Sequence, residues 1–200
     1  MAHKKRSYRV IAKKIENEHT DIMYPQFKLK PKINNLIEDM IQSLIKKEAD
    51  EFLGQRNIYG KYKITLFKKN LLSIIIQCYS YLPGDDRTFN LLKSLTINIR
   101  KSCIYNFDDL FYKESDYEYI INKIILENIK DNNIPIIEEF ANINKNRSFY
   151  LTEDSLVIYY ELNRNSPYAF SYCIPQFSIP IDSIKNIINP KGPIRGLLRK

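Results

Sequence analysis

The chain has 200 residues, 44% of them hydrophobic and 27% charged, and a net charge of +8. Such a length suits one domain with ragged ends, and such a composition excludes a disordered chain. With five glycines and no tryptophan, there is little material for a glycine-rich phosphate cradle.

The opening MAHKKRSYRVIAKK holds Lys4, Lys5, Arg6, Arg9, Lys13 and Lys14 without an acid, and residues 1–7 read as a basic tail. No uninterrupted apolar core follows, so a secretory signal is not expected. Tyr8 to Glu18 approximates strand alternation, which HTDIMYPQF is expected to break at Pro25. Pro31 then opens a segment in which Ile33, Ile37, Met40, Leu44 and Phe52 recur near helical spacing, with Glu38, Lys46, Lys47 and Glu51 on the other faces. The spacing predicts an amphipathic helix of about twenty residues, stopped at Gly54.

After Gly60 the period shortens to two. KYKITLFKK, LLSIIIQCYSYL and NLLKSLTINIR read as three strands of an antiparallel meander, joined by the turns KKN and LPGDDRTF. The apolar run from Leu71 to Leu82 is broken by Ser73 and Gln77 and is too short to span a bilayer. A second helix is expected from Ser115, where Ser115 and Glu118 spell a capping box. Ile120, Ile121, Ile124, Ile125 and Ile129 would form its buried face, and a shorter helix is expected from Pro135 through Phe140.

Strand signals return in SFYLT, in LVIYYEL after the turn EDS, and in FSIPIDSI. Pro167, Pro175 and Pro180 shape the crossing NRNSPYAFSYCIPQF before the last of them. The closing KGPIRGLLRK adds Lys191, Arg195, Arg199 and Lys200, so residues 190–200 read as a second basic tail. Between the two basic ends the body carries about −2, without the basic and aromatic footprint of a nucleic-acid surface. Specific nucleic-acid recognition is therefore not expected. The expected fold class is α+β: an antiparallel β-sheet, meander plus C-terminal hairpin, packed against two main helices.

Residues that could do chemistry are scattered. Cys78, Cys103 and Cys173 show no CxxC spacing and read as small buried or half-buried side chains in a reducing compartment. His3 and His19 have no partner at ligand spacing. The pairs Asp85–Asp86, Asp108–Asp109, Glu138–Glu139 and Glu153–Asp154 would point to opposite faces of a strand or cap amides in a turn. Asp85 and Asp86 stand beside Gly84 without the ligand-rich loop of an EF-hand. No catalytic motif, cofactor site or metal site emerges, and the chain is expected to be no enzyme. A hydrolase using carboxylates or a cysteine with His19 is the alternative that only spatial convergence could create.

The stretch SFYLTEDSLVIYYELNRNSPYAFSYCIPQFSIPIDSI resembles the C-terminal sensor-domain family of the anti-sigma-V factor RsiV. That domain also occurs in the polysaccharide deacetylase PdaC and in short unanchored firmicute proteins. The family's ordered features are similar to Phe149–Tyr150, the strand Leu156 to Tyr160, Pro167–Tyr168–Ala169, and Pro175, Phe177, Ile179 and Pro180. MYPQF with the following helix, NLLSIIIQCYSY, FDDLFYKESDYEYIINKII and GPIRGLL extend the likeness to most of the chain. The turn PGDDRT replaces the family's GGAH, removing its histidine.

The resemblance implies a single α+β domain over residues 8–189. In RsiV the domain binds lysozyme, and in PdaC it sits beside a separate catalytic domain, so the resemblance implies a non-catalytic binding module. Its partner would be a protein or a cell-wall glycan. Tyr168 and Tyr172 are candidate contacts, since tyrosine joins contact area to a polar tip; Asp85, Asp86 and Arg87 of the replaced turn are others. The alternative is a structural or assembly protein of a spore-forming bacterium, placed without export. Either way the chain is expected to be cytoplasmic or spore-associated, with no transmembrane anchor.

Overall fold

The structure, a computed structural model, describes residues 8–51, 56–84, 88–134, 147–160 and 174–198. Strands β1 (Val10–Asn17) and β2 (Thr20–Phe27) precede helix α1 (Pro31–Glu51). Strands β3 (Asn57–Lys68), β4 (Leu71–Tyr81), β5 (Thr88–Asn98) and β6 (Cys103–Ile104) follow, then helix α2 (Tyr117–Asp131). The last strands are β7 (Ser148–Leu151), β8 (Ser155–Tyr159) and β9 (Gln176–Pro180). They form a six-stranded sheet in the order β1-β2-β3-β4-β5-β6 and a three-stranded sheet in the order β7-β8-β9. The α+β class expected from the pattern is the class observed.

The chain divides into two compact units: Met1–Tyr62 with Ile76–Phe89, and Lys63–Ile75 with Asn90–Lys200. In the first, β1 and β2 form an antiparallel hairpin from Val10↔Phe27 to Asn17↔Thr20. Pro25 does not break β2; it pairs with Ala12. The ladder from β2 to β3 covers Thr20 to Ile22 and has ended before Pro25. A proline is tolerated where a strand is paired on one side.

That β2–β3 ladder is parallel, which departs from the wholly antiparallel sheet expected. A 21-residue helix separates the two strands, and a crossover of that length is what returns a chain parallel to itself. Helix α1 buries Ile33, Ile37, Ile41 and Leu44 at helical spacing, while Met40 stays half-buried. Asn34 fixes the helix to β2, accepting from Phe27 N–H at 2.8 Å and donating to Phe27 C=O at 3.1 Å. The expected stop at Gly54 lies outside the described residues.

One buried position on α1 is ionic. Glu48, 3% exposed, continues the Ile33–Leu44 stripe. Ser80 donates to Glu48 Oε2 at 2.7 Å and accepts from Arg56 Nε at 3.2 Å. Arg56 Nε stands 3.8 Å from the same carboxylate, and its guanidinium lies over the Phe89 ring. Ser80 of β4 thus joins Glu48 and Arg56, from either side of the α1–β3 connection, inside the unit.

The second unit has a larger apolar core. Phe107, Leu110 and Phe111 pack with Ile121, Ile125 and Ile129 of α2, and with Phe149, Leu151, Leu156, Ile158, Phe177 and Ile179 of the three-stranded sheet. Hydroxyl groups stitch that sheet to β4 and β5. Ser73 Oγ accepts from Leu151 N–H at 3.0 Å and pairs with Thr96 Oγ1, while Ser94 Oγ donates to Phe149 C=O at 2.6 Å.

Two local expectations are corrected in this unit. Helix α2 has Asp116, not Ser115, as its N-cap residue; Ser115 closes a turn by donating its hydroxyl to Tyr112 C=O at 2.6 Å. The stretch from residue 190 is not a free tail through Leu198. Pro193–Leu197 forms a 3-10 helix that buries Ile194 and Leu197 in the core. The helix expected at Pro135–Phe140 lies outside the described residues.

Candidate recognition face

Tyr168, Tyr172, Asp85, Asp86 and Arg87 all lie outside the described residues, as do Cys173 and the pair Glu138–Glu139. The other carboxylate pairs hold turns. Asp109 accepts from Asn106 N–H at 2.8 Å, and Asp108 accepts from the Tyr117 hydroxyl at 3.0 Å. Asp154 takes hydroxyl hydrogen bonds from Thr152 and Ser155. Cys78 is buried, and burial together with the nearby Glu48 carboxylate pushes its thiol up to about 12, far from a nucleophilic thiolate. Cys103 is exposed, which corrects the expectation of burial for that residue. Among the described residues no three metal-ligating side chains cluster, and no helix is long and apolar enough to cross a membrane.

The feature that stands out is a face of the first unit, built by strand alternation. Along β2, Thr20, Ile22 and Tyr24 are buried, whereas Asp21 and Met23 point outward. On β4, Ile76, Cys78 and Ser80 are inside, leaving Gln77, Tyr79 and Tyr81 on the outer side. Gly60 allows the strands to pack this closely: a Cβ there would collide with Cys78 Sγ and press on Ile22 and on Gln77 C=O.

Tyr59 of β3 completes the row. Its ring stacks on Tyr79 at 5.3 Å between centroids and on Tyr81 at 6.0 Å, with interplanar angles of 14° and 4°. Tyr79 is 46% exposed and Met23 39%. Polar groups fix the row at one end. His19 Nδ1 donates to Asn57 Oδ1 at 2.9 Å. The Asn57 side chain in turn hydrogen-bonds Tyr81, which together with Tyr59 holds the Tyr81 phenol below its ordinary range, while Tyr59 is raised. At the other side Lys14 Nζ bridges Glu16 at 2.8 Å and Asp21 at 3.0 Å.

Lys14, Asp21, Met23, Tyr59, Gln77 and Tyr79 line an open hollow of about 720 Å³. Flat aromatic faces beside amide, ammonium and carboxylate groups can stack on an apolar surface and hydrogen-bond at its rim. Sequence reasoning did not select these tyrosines. The alternation in QCYSY was the available signal, and it marks two faces without telling which one solvent reaches.

Residues 108–182 match the model of a family described as "Protein of unknown function (DUF3298)". The chain is similar in fold to a DUF3298 family protein of Pseudomonas aeruginosa PAO1, with 13% identity, a TM-score of 0.64, and coverage of 92% of this chain and 94% of that one. It is also similar to a member of that family from Bacteroides fragilis NCTC 9343, with 14% identity, a TM-score of 0.58, and coverage of 95% of each chain. No curated protein matches the chain. At these identities the likeness speaks for the fold.

Proposed function

We propose that the chain is a non-catalytic recognition domain, akin to the RsiV sensor domain, that binds a protein or a cell-wall glycan through the tyrosine face of its first unit. The observation that carries this reading is the solvent-facing stack of Tyr59, Tyr79 and Tyr81 beside Met23 and Gln77. Tyrosine is enriched at binding hot spots because a rigid ring supplies contact area at low conformational cost. The rings are held in register before any partner arrives, which lowers the ordering cost of binding. The resemblance of residues 148–184 to the RsiV family supports the reading as a recognition domain.

Pull-down with immobilised lysozyme and with purified peptidoglycan tests it. Retention on one of the two is expected, weakened about tenfold or more by Tyr79→Ala, with circular dichroism unchanged because Tyr79 is a surface residue. Failure to bind either, or equal retention of the variant, would sink the proposal.

A further inference from the structure

We infer that one end of the second unit is a docking site for a linear, phosphate-bearing polyanion, separate from the tyrosine face. Three turns meet there. Asn70 C=O accepts from Ile99 N–H at 2.8 Å, which sets the β3–β4 turn beside the β5–β6 turn. A hollow of about 210 Å³ is lined by Lys68, Lys69 and Asn70, by Asn98, and by Gly192 and Gly196 around the last 3-10 helix. The basic C-terminal segment is therefore fastened to the body by Ile194 and Leu197.

These turns present Lys68, Lys69, Arg100, Lys101, Lys191 and Arg195, all exposed. Segments 68–71, 98–102 and 190–198 contain no acid, and none of the six cations forms an ion pair among the described residues. The carboxylates of Asp108 and Asp109 accept from the Tyr117 hydroxyl and Asn106 N–H and form no ion pair with these cations among the described residues. The turns themselves are pinned. Asn98 Oδ1 accepts from Arg100 N–H at 3.1 Å and Lys101 N–H at 3.0 Å, and Asn189 Oδ1 accepts from Lys191 N–H at 2.9 Å. Lys68 and Lys69 line the hollow and the other four cations stand on the turns that border it, where like charges repel one another until an anion neutralises them.

The arrangement selects among anions. Cations spread over three turns suit repeated charges along a chain better than one phosphate. The turn residues themselves expose no large apolar side chain, and the flanking Phe67 and Ile104, 40% and 43% exposed, are isolated strand residues, unlike the continuous apolar face of an interfacial membrane helix. The turns offer no row of exposed rings on which successive bases could stack: Phe67, on β3 before Lys68, is a single ring at 40% exposure, and Tyr105 is half-buried with its hydroxyl accepting from Asn98 at 2.7 Å. A flexible phosphate polymer fits, and neutralising its charges would release counterions and make affinity fall steeply with salt.

Binding of the full chain to inorganic polyphosphate, a single-stranded oligonucleotide and phosphatidylglycerol vesicles, each at several salt concentrations, tests this. Polyphosphate is expected to bind tightest. The double variant Lys68→Glu/Lys69→Glu should lose about tenfold or more and flatten the log–log salt slope by about one or more. Gly196→Glu should weaken binding without disturbing the fold, because a Cβ at Gly196 meets nothing within 4 Å. Lys113→Glu/Lys123→Glu makes the same charge change elsewhere and should bind like the parent. Tightest binding to the oligonucleotide or the vesicles, no binding at all, or equal losses in the control variant would overturn the inference.

Discussion

The two units solve burial in different ways. The second packs phenylalanine, isoleucine and leucine from α2 and the three-stranded sheet into one apolar cluster, with hydroxyls where sheets meet and one buried cation, Arg147, lying over the Phe107 ring and donating to Asn122. The first places a carboxylate and a guanidinium on its inner side, joined through Ser80. A new charge forced among apolar side chains has no partner waiting for it, whereas a buried ion pair tolerates no loss of one partner. The difference teaches where each unit is brittle.

The largest effect should come from forcing a charge into the apolar core. Ile158 is fully buried in β8, and Ile158→Asp should cost more than about 4 kcal/mol. Urea denaturation that found the native transition intact would show the strand is not core. Next, Glu48→Ala should cost roughly 3–5 kcal/mol by removing the carboxylate beside the buried Arg56 guanidinium, whereas Glu48→Leu with Arg56→Met should be near neutral. A double variant as unstable as the single one would mean that the pair is more than mutual compensation, and the contrast between the units would narrow.

Smaller again is the close approach of strands at Gly60. Gly60→Ala should cost about 1–3 kcal/mol by crowding Cys78 Sγ, and Cys78→Ala in the same chain should recover part of that loss. Additive losses in thermal melts would contradict a direct clash.

An alkaline effect touches both units. Burial first, and then nearby carboxylates, raise Cys78 in the first unit and Tyr117 in the second, each to about 12. Raised acids hold more protons folded than unfolded, so the fold has their full contribution below about pH 9–10 and loses it as pH climbs toward about 12. The urea midpoint should therefore fall between pH 9 and pH 11. Cys78→Ala and Tyr117→Phe should each flatten that fall, and an unchanged pH profile in both would refute the assignment.

Much of the fold was legible in local pattern. Pro31 and the isoleucine spacing marked α1, short turns marked the meander, and the EDS turn marked the β7–β8 hairpin, because each of these depends on near neighbours in sequence. Glu48 was not legible. It stands on the core stripe of α1, but a carboxylate in a helical pattern reads as solvent-facing until Arg56 and Ser80 are brought to it. The recognition face was half legible. QCYSY shows which residues share a side of β4, but not that Leu71, Ser73 and Ile75 on that side are buried while Tyr79 is open. The parallel β2–β3 step escaped for a related reason, since hairpin logic pairs each strand with its immediate successor and cannot see past a helix.

That parallel step has a kinetic meaning. Its ladder spans only Thr20↔Ile58 to Ile22↔Gly60, and its two strands meet where His19 and Asn57, 38 positions apart, hydrogen-bond. Hairpins close on microsecond timescales from local encounters, but this ladder must wait for α1 to bridge the gap. It is expected to be late in folding and early in opening, so the Ile58 amide, bonded to His19 C=O at 2.8 Å, should exchange with solvent deuterium sooner than the buried amides of β8. The tyrosine row rests on that ladder through Tyr59. Partner recognition would then slow deuterium uptake first at Ile58, giving a time-resolved signal of occupancy at a position no ligand touches.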